Sequence, residues 1–289
     1  MNLRRITFWN LIAQSAIIVT GVSVRVTGSG LGCPTWPQCV PGSYVPTVEQ
    51  AQAWHKYIEF GNRTLTFALT AIALLTLVAV WRSPKRDPRT RLLAAVPLGG
   101  TAAQAVLGGI TVLTGLNPYT VMAHFLLSIL LVAAAHALWV RVSGTPAFQL
   151  ADRRLLDLGS RAMVAVAAAV IVIGTVVTGS GPHSGDAQRP ARFGLDPALV
   201  SWVHADVVWL SGGLAIALWA YTRWSLRSPE FEARSRRIVE LIVAQGTVGY
   251  LQYWTDLPWY LVIVHAGLAA WFWIAVLQLR SDVRRSLSA

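Results

Sequence analysis

Three of the six histidines lie at a similar depth inside long apolar segments of this 289-residue chain. His124 and His265 lie about five residues inside their segments and His204 about four, which places them roughly 6–9 Å from one end. An ionisable group inside an apolar span is energetically unfavourable, so each is a candidate for function. Because three histidines share one depth, unrelated packing roles explain them poorly.

Single imidazoles on separate helices favour haem over zinc. Zinc needs three or four converging ligands, often including thiolate or carboxylate, whereas haem takes axial ligands from facing helices. His204 and His265 can form such an axial pair. In the other half of the chain His124 has no histidine opposite it, because the matching position near residue 62 is Asn62. An amide is a poor iron ligand, so this half is expected to keep an open or weak sixth position, as oxygen chemistry requires.

The elements that must position these residues are membrane-spanning helices. Hydrophobic residues form 54% of the chain and charged residues 13%, with a mean hydropathy of +0.51. A soluble domain carries about 25% charged residues. Eight stretches reach the roughly 20 apolar residues that a span requires. They are 6–26, 58–81, 92–114, 119–140, 162–178, 200–222, 238–255 and 260–279.

The basic residues are distributed unequally between the two sides of these spans. Most lie at the N-terminus, after the second, fourth and sixth spans, and in the C-terminal tail. The positive-inside rule therefore predicts a multi-pass protein of the plasma membrane with both termini in the cytoplasm and the histidines towards the extracytoplasmic side. The net charge of +11 reflects topology and attraction to membrane lipid, and no nucleic acid partner is expected.

The two halves of the chain repeat. Val26-Thr27-Gly28-Ser29-Gly30 reappears as residues 177–181, and a second pattern recurs with identical spacing. Its members are Gln104, Gly108, Thr114 and His124, matched by Gln245, Gly249, Thr255 and His265. The repeat predicts an all-α membrane protein of two parallel-repeat four-helix bundles, residues 1–145 and 146–289. Outer loops of about 27–57 and 179–199 should form a cap.

The first outer loop and the start of the second span carry further chemistry. Cys33 and Cys39 lie outside the cytoplasm and favour a disulfide, either as a structural staple or as a redox pair. Glu59 suits the helix N-terminus through the helix dipole, or handles protons at the edge of a substrate. Arg63 is expected to pair with haem propionates or with Glu59.

The other histidines and outer arginines leave alternatives open. His55 shares a helix face with Glu59 and Asn62 and could line the same pocket. His183 is a solvated loop residue or a contact at a haem edge, and His136 packs or reaches towards the cytoplasmic interface. Further candidates for propionate binding are Arg25, Arg189 and Arg192.

In combination, these residues resemble the haem A synthase family, the membrane haem O monooxygenases of cytochrome oxidase assembly. The resemblance covers nearly the whole chain. It rests on the 27–30 turn, the cysteine loop with Trp36-Pro37, the 59–63 segment and the three histidines in duplicated bundles. In the family a Glu-x-x-His-Arg segment opens helix two. Here Asn62 replaces the histidine, as in an actinobacterial-like variant.

The resemblance implies oxidation of the C8 methyl of haem O to a formyl group, giving haem A, by successive hydroxylation. The second bundle would hold a resident haem b on His204 and His265 that passes electrons. The first would bind the substrate haem O on His124, beside a Cys33–Cys39 disulfide. Haem O synthase and an electron donor are the implied partners. The identity of that donor, the haem occupancy and homo-oligomer formation stay open.

Two other functions remain as alternatives. A di-haem membrane electron carrier of the cytochrome b type would need two complete histidine pairs, which Asn62 does not supply. A membrane transporter would suit parallel repeats, but it more often has broken helices or charges at mid-membrane. In this chain the polar groups cluster near the outer face, and Asp206 is expected to be the main buried acid.

Overall fold

The computed structural model describes residues 2–84, 87–144, 154–186 and 191–288. Within these ranges the protein consists of eight α-helices joined by irregular segments, and no β-strand is formed. The helices are α1 Leu3–Val26, α2 His55–Trp81, α3 Pro88–Leu113, α4 Pro118–Ser143, α5 Arg154–Ser180, α6 Pro197–Ala220, α7 Pro229–Trp254 and α8 Trp259–Ser288. A π-helical turn, Tyr221–Ser225, extends α6.

Local capping explains several helix boundaries. Asp87 and Asn117 precede prolines at the first positions of α3 and α4. Their side chains accept hydrogen bonds from the backbone N–H of Thr90 and Tyr119, both at 3.0 Å. The Thr90 hydroxyl also donates to Asp87, and these bonds lower the pKa of the Asp87 carboxyl. Gly144 ends α4 in the left-handed conformation that glycine adopts without strain.

The membrane-spanning character predicted from the sequence is confirmed. Seven of the helices in the described ranges are long and apolar enough to cross a membrane, and α7 is the exception. The sequence predicts an eighth span at 238–255, inside α7, but this helix begins earlier with charged turns and also carries Gln245 and Gln252. Other helices also extend beyond their predicted spans, because backbone hydrogen bonding continues into polar sequence where the apolar pattern stops.

The described helices form two rings of four. In the first ring α1 contacts α2, α2 contacts α3, α3 contacts α4, and α4 returns to α1; α5 to α8 follow the same order. Within the described residues, α2 does not contact α4 and α6 does not contact α8, so each of these pairs lies diagonally across its ring. The rings meet where α1 and α4 pack against α5 and α8.

An apolar cluster joins the two rings. Leu11 and Ile129 of the first ring pack with Met163 and Trp273 of the second, and the Trp273 indole donates to the Ile129 carbonyl at 3.2 Å. Because lipid is as apolar as these side chains, close packing and buried hydrogen bonds hold membrane helices together.

His136 contributes one of these bonds. It is 1% exposed, and its Nε2 lies 3.0 Å from Oε1 of Gln278 on α8. Of the two roles expected for His136, the structure therefore shows packing at the seam between the rings, not extension to the interface.

The outer segments also tie the rings together. The Gly30 N–H donates to the Gly185 carbonyl at 2.8 Å. Arg25 of α1 donates to the carbonyls of His183 and Thr178 in the second half, at 2.5 and 2.9 Å. The Arg25 side chain therefore links the outer end of α1 to the outer end of α5 and the loop that follows it.

Candidate functional site

A single large cavity of about 2420 Å³ contains the three candidate histidines. Residues from all eight helices line it, so it extends through both rings. Its volume exceeds the 300–1,000 Å³ that is usual for a small-molecule pocket. The cavity can therefore accept large flat ligands in both halves.

The helices place the candidate ligands at matching levels. His124 and His265 each lie six residues after the first residue of α4 and α8. Asn62 and His204 each lie seven residues after the first residue of α2 and α6. Each ring thus presents one pair of side chains from diagonal helices.

Glycines cradle all three imidazoles. A Cβ atom on Gly108 of α3 would lie 3.2 Å from Cε1 of His124, and one on Gly174 of α5 would lie 3.2 Å from Cε1 of His204. Gly249 of α7 stands in the same relation to His265, at 3.7 Å. Each imidazole therefore packs against a glycine of a neighbouring helix, and at Gly108 and Gly174 a larger residue would crowd it.

The ring nitrogens show how a metal group would be held. In His124, His204 and His265, Nδ1 is buried, and in His124 and His265 it forms no hydrogen bond. Because Nδ1 is enclosed, Nε2 is the nitrogen left for a ligand in the cavity. Within the described ranges no three His, Cys, Asp or Glu side chains converge as zinc would require. These residues fit a haem group.

The first ring is different opposite His124. Asn62 lines the cavity, and its Oδ1 accepts a hydrogen bond from the Thr20 hydroxyl of α1 at 2.8 Å. Gly21, beside Thr20, also faces the cavity, and a Cβ there would meet nothing within 4 Å. In the second ring, by contrast, the imidazole of His204 packs against Gly174 of α5. The two rings therefore differ in the side chain that lies diagonally across from His124 or His265, which is Asn62 in the first ring and His204 in the second.

Glu59 and Arg63 bind the cysteine loop. Glu59 is 5% exposed, and its Oε2 accepts from the Cys33 N–H at 2.6 Å. Its Oε1 accepts from Arg63 Nε at 3.0 Å and from the Arg63 terminal nitrogen at 2.6 Å. Arg63 also donates to the carbonyls of Cys33, Thr35 and Gln38 at 2.8, 3.1 and 3.3 Å. Of the two expected partners of Arg63, the structure therefore shows Glu59.

The loop itself covers the first ring. Cys33 and Cys39 form the predicted disulfide, and both are fully buried. Trp36, between them, lines the cavity and packs against Gly109 of α3, where a Cβ would lie 2.4 Å from the indole. Sequence reasoning did not identify Thr20 or the packing at Gly174, and it named Trp36 only as part of the family resemblance, not as a residue that lines the cavity. The sequence did single out Gly108 and Gly249, because they occupy matching positions in the repeat.

The two remaining outer histidines have local partners. His55 Nδ1 lies 2.9 Å from the Ser29 hydroxyl, and its ring stacks on Trp54 at 3.9 Å. It is not among the described residues that line the cavity. His183 does line the cavity, but its Nε2 donates to the Leu257 carbonyl at 2.8 Å.

The other charged candidates have different surroundings from one another. Arg25 lines the cavity but donates to the two carbonyls of the second half already described. Arg192 is exposed, and Arg189 lies outside the described residues. The expectation that Asp206 is the main buried acid is wrong, because its side chain is exposed at the cavity edge. Glu59 and Asp282 are the buried acids of the described chain, since both lie between packed helices or loops.

Comparison with known proteins gives a family over nearly the whole chain. Residues 4–277 match the COX15-CtaA family, described as cytochrome oxidase assembly protein. Similar proteins named heme A synthase occur in Shouchella clausii, with 29% identity over 125 residues, and in Geobacillus thermodenitrificans, with 28% over 121 residues. A third, from Lysinibacillus sphaericus, is 30% identical over 139 residues.

These alignments cover 43%, 42% and 46% of this chain, and 40%, 37% and 44% of the respective relatives. The chain therefore spans less than half the length of the curated relatives it matches. The family match is much longer, and it covers α1 to α7 and most of α8, including all three cavity histidines and the cysteine loop. The chain belongs to the COX15-CtaA family of cytochrome oxidase assembly proteins.

Proposed function

We propose that this protein is a haem A synthase, an oxidoreductase that converts the C8 methyl of haem O to a formyl group by successive hydroxylation. The observation that carries the proposal is the unequal pair of sites in one cavity. Two imidazoles lie on diagonal helices in one ring, and an imidazole and an amide in the other. A site closed on both faces suits a resident cofactor, and a site open on one face suits a substrate that reacts.

The second ring is the proposed haem b site. His204 and His265 would supply the two axial nitrogens, and Gly174 and Gly249 would fix the orientation of their rings. A haem bound in this way supplies one-electron transfer. The chain contributes a rigid, apolar enclosure that keeps both imidazoles in place and water away.

The first ring is the proposed haem O site. His124, packed on Gly108, would be the only strong protein ligand. The space beside Gly21 and Asn62 would stay free for the reaction. Trp36 and the disulfide loop would close the outer end of this half, where they lie over Gly109.

Glu59 is the proposed catalytic carboxylate at the edge of this site. It lines the cavity, which supports a role in moving a proton to or from the substrate. Its bonds to Arg63 and to the Cys33 N–H also give it a positioning role, since they hold the loop against α2.

The proposed organisation follows the repeat. Residues 1–145 would form the substrate unit and residues 146–289 the cofactor unit, with both termini in the cytoplasm and the haem sites towards the extracytoplasmic side of the plasma membrane. The membrane lipid, haem O synthase and a separate electron donor are the proposed partners. A lipid-soluble substrate passed between membrane enzymes would suit a cavity enclosed by transmembrane helices.

Pigment analysis of the purified protein tests the proposal. Membranes that make haem O but not haem A should accumulate haem A when the protein is present, identified by mass after extraction. A His124→Ala variant is the matched control and should leave only haem O. Two unmodified haems b with no conversion would indicate an electron carrier instead, and absence of any haem would favour transport.

A further inference from the structure

Asn62 lies at the position in its helix where an iron ligand would be expected, but its hydrogen bonding suits a different role. Its Oδ1 is engaged by the Thr20 hydroxyl at 2.8 Å. The same hydroxyl lies 3.2 Å from the Ile17 carbonyl of its own helix, so the shorter contact is the one to Asn62. With the oxygen bound to α1, the amide NH₂ is the end left to the cavity that Asn62 lines.

An amide NH₂ is a hydrogen-bond donor and cannot coordinate iron as an imidazole nitrogen does. Asn62 lies at the same level of α2 as His204 does of α6, on the helix diagonal to the one that carries His124. A haem held by His124 would therefore have Asn62 on the diagonally opposite helix. Gly21, next to Thr20 in α1, also lines the cavity, and a Cβ there would meet nothing within 4 Å, so space is available in this half for a small molecule.

We infer that Asn62, oriented by Thr20, is a distal hydrogen-bond donor to a small ligand with lone pairs, a halide or a diatomic molecule, at the sixth position of a haem held by His124. Asn62 is the donor, and Thr20 is a positioning residue that acts through it. The inference rests on haem binding at His124 in the proposed function, but not on oxidation of that haem.

Fluoride is a suitable probe, because it binds ferric haem only at an open position and accepts hydrogen bonds strongly. A haem held by both His204 and His265 would have no open position, so fluoride titration of the purified ferric holoprotein should report on the first ring alone. Asn62→Leu, which keeps a similar volume without a donor, should weaken fluoride binding about ten- to a hundredfold, the range for one hydrogen bond to a charged group.

Thr20→Val tests the orientation of the amide, because it removes the hydroxyl but keeps Asn62. It should weaken fluoride binding by a smaller factor, since the freed amide still samples the donor orientation. Thr70→Val is the matched control. Thr70 also lines the cavity from α2, but its hydroxyl bonds only to the Thr66 carbonyl of its own helix, so fluoride affinity should not change.

A second readout uses carbon monoxide bound to the ferrous protein. Loss of a distal donor should raise the C–O stretching frequency in Asn62→Leu relative to the parent. Retention of the low-spin haem spectrum of the second ring shows that each variant is folded.

Unchanged fluoride affinity in Asn62→Leu would overturn the inference. Tighter binding would also overturn it, because the amide oxygen would then face the ligand. Fluoride binding that depends on Asn62 in a protein that does not convert haem O would support the inference and reject the proposed function.

Discussion

The two rings share a scaffold and differ at one diagonal position. In both, a histidine of the last helix packs on a glycine of the helix before it: His124 on Gly108, and His265 on Gly249. On the opposite helix, the second ring has His204 and the first has Asn62. The repeat therefore keeps the packing of one imidazole in both rings, and in the proposed haem sites the change of a single side chain would decide whether the other face is closed.

The outer caps of the two rings differ as well. The first is built on a disulfide and on the Glu59–Arg63 ion pair, which anchors the loop to α2. The second, in its described part, is held by backbone contacts such as the one between Gly30 and Gly185, and by Arg25 reaching from the first ring. The more extensively bonded cap covers the proposed substrate site, where an exact enclosure would matter most.

Removing a ligand of the closed site should have the largest effect. His204→Ala or His265→Ala should lose the low-spin haem and all conversion of haem O, because one imidazole alone cannot keep a six-coordinate centre. Optical spectra of the purified variants give the measurement. His183→Ala is the control, since His183 lines the cavity but bonds to the Leu257 carbonyl. An unchanged low-spin spectrum in both ligand variants would refute the assignment.

Substitutions in the proposed open site of the first ring should not affect the haem of the second ring. His124→Ala should abolish haem A formation while the low-spin haem of the second ring stays in place. Asn62→His should make the two rings alike and add a second low-spin signal when haem O is supplied. Two bis-histidine centres in the unmodified protein would show that the two rings do not differ in haem ligation, and would contradict the comparison.

Neutralising Glu59 should have an intermediate effect. Glu59→Gln should leave haem b bound and lower haem A formation several-fold. It removes a carboxylate at the cavity and weakens the ion pair with Arg63 at 2.6 Å, with a loss of roughly 1–3 kcal/mol of stability for a buried bond to a charged group. Conversion assays and thermal unfolding on the same samples separate the two effects. Conversion at the parent rate would leave Glu59 with a structural role only.

The disulfide should contribute more to stability than to chemistry. Cys33 and Cys39 should resist alkylation until the protein is reduced, because they are bridged and buried. The double serine variant should lose about 2 kcal/mol, as expected for closure of a short loop, and keep most of its activity per folded molecule. A large fall in activity with unchanged thermal stability would instead point to a redox role.

Substitution of the glycines that pack against the three imidazoles should have the smallest effects. These effects should decrease as the distance from the added Cβ to the imidazole increases. Gly174→Ala and Gly108→Ala place a Cβ 3.2 Å from an imidazole carbon, a tight contact that should displace the ring and broaden the corresponding haem spectrum. Gly249→Ala, at 3.7 Å, is an ordinary contact and should be nearly silent. Equal effects at all three positions would mean that helix propensity, and not ring orientation, explains these glycines.

Much of the scaffold could be predicted from the sequence because its signals are local. Apolar length predicts the helices, and proline with a capping residue marks where several begin. Since an α-helix has a fixed rise per residue, counting from those starts places His124, His204 and His265 six or seven residues into their helices. The disulfide could also be predicted, because the two cysteines lie close together in one outer loop.

Contacts between distant segments could be decided only by the tertiary structure. Arg63 had two plausible partners, and it pairs with Glu59 of its own helix while the folded loop presents three carbonyls to it. His55 shares a helix face with Asn62, but Ser29 and Trp54 hold it elsewhere. The Thr20–Asn62 bond joins residues 42 positions apart, and no spacing rule relates them. Helix periodicity determines which residues share a face, but which face meets which neighbour depends on how all eight helices pack together.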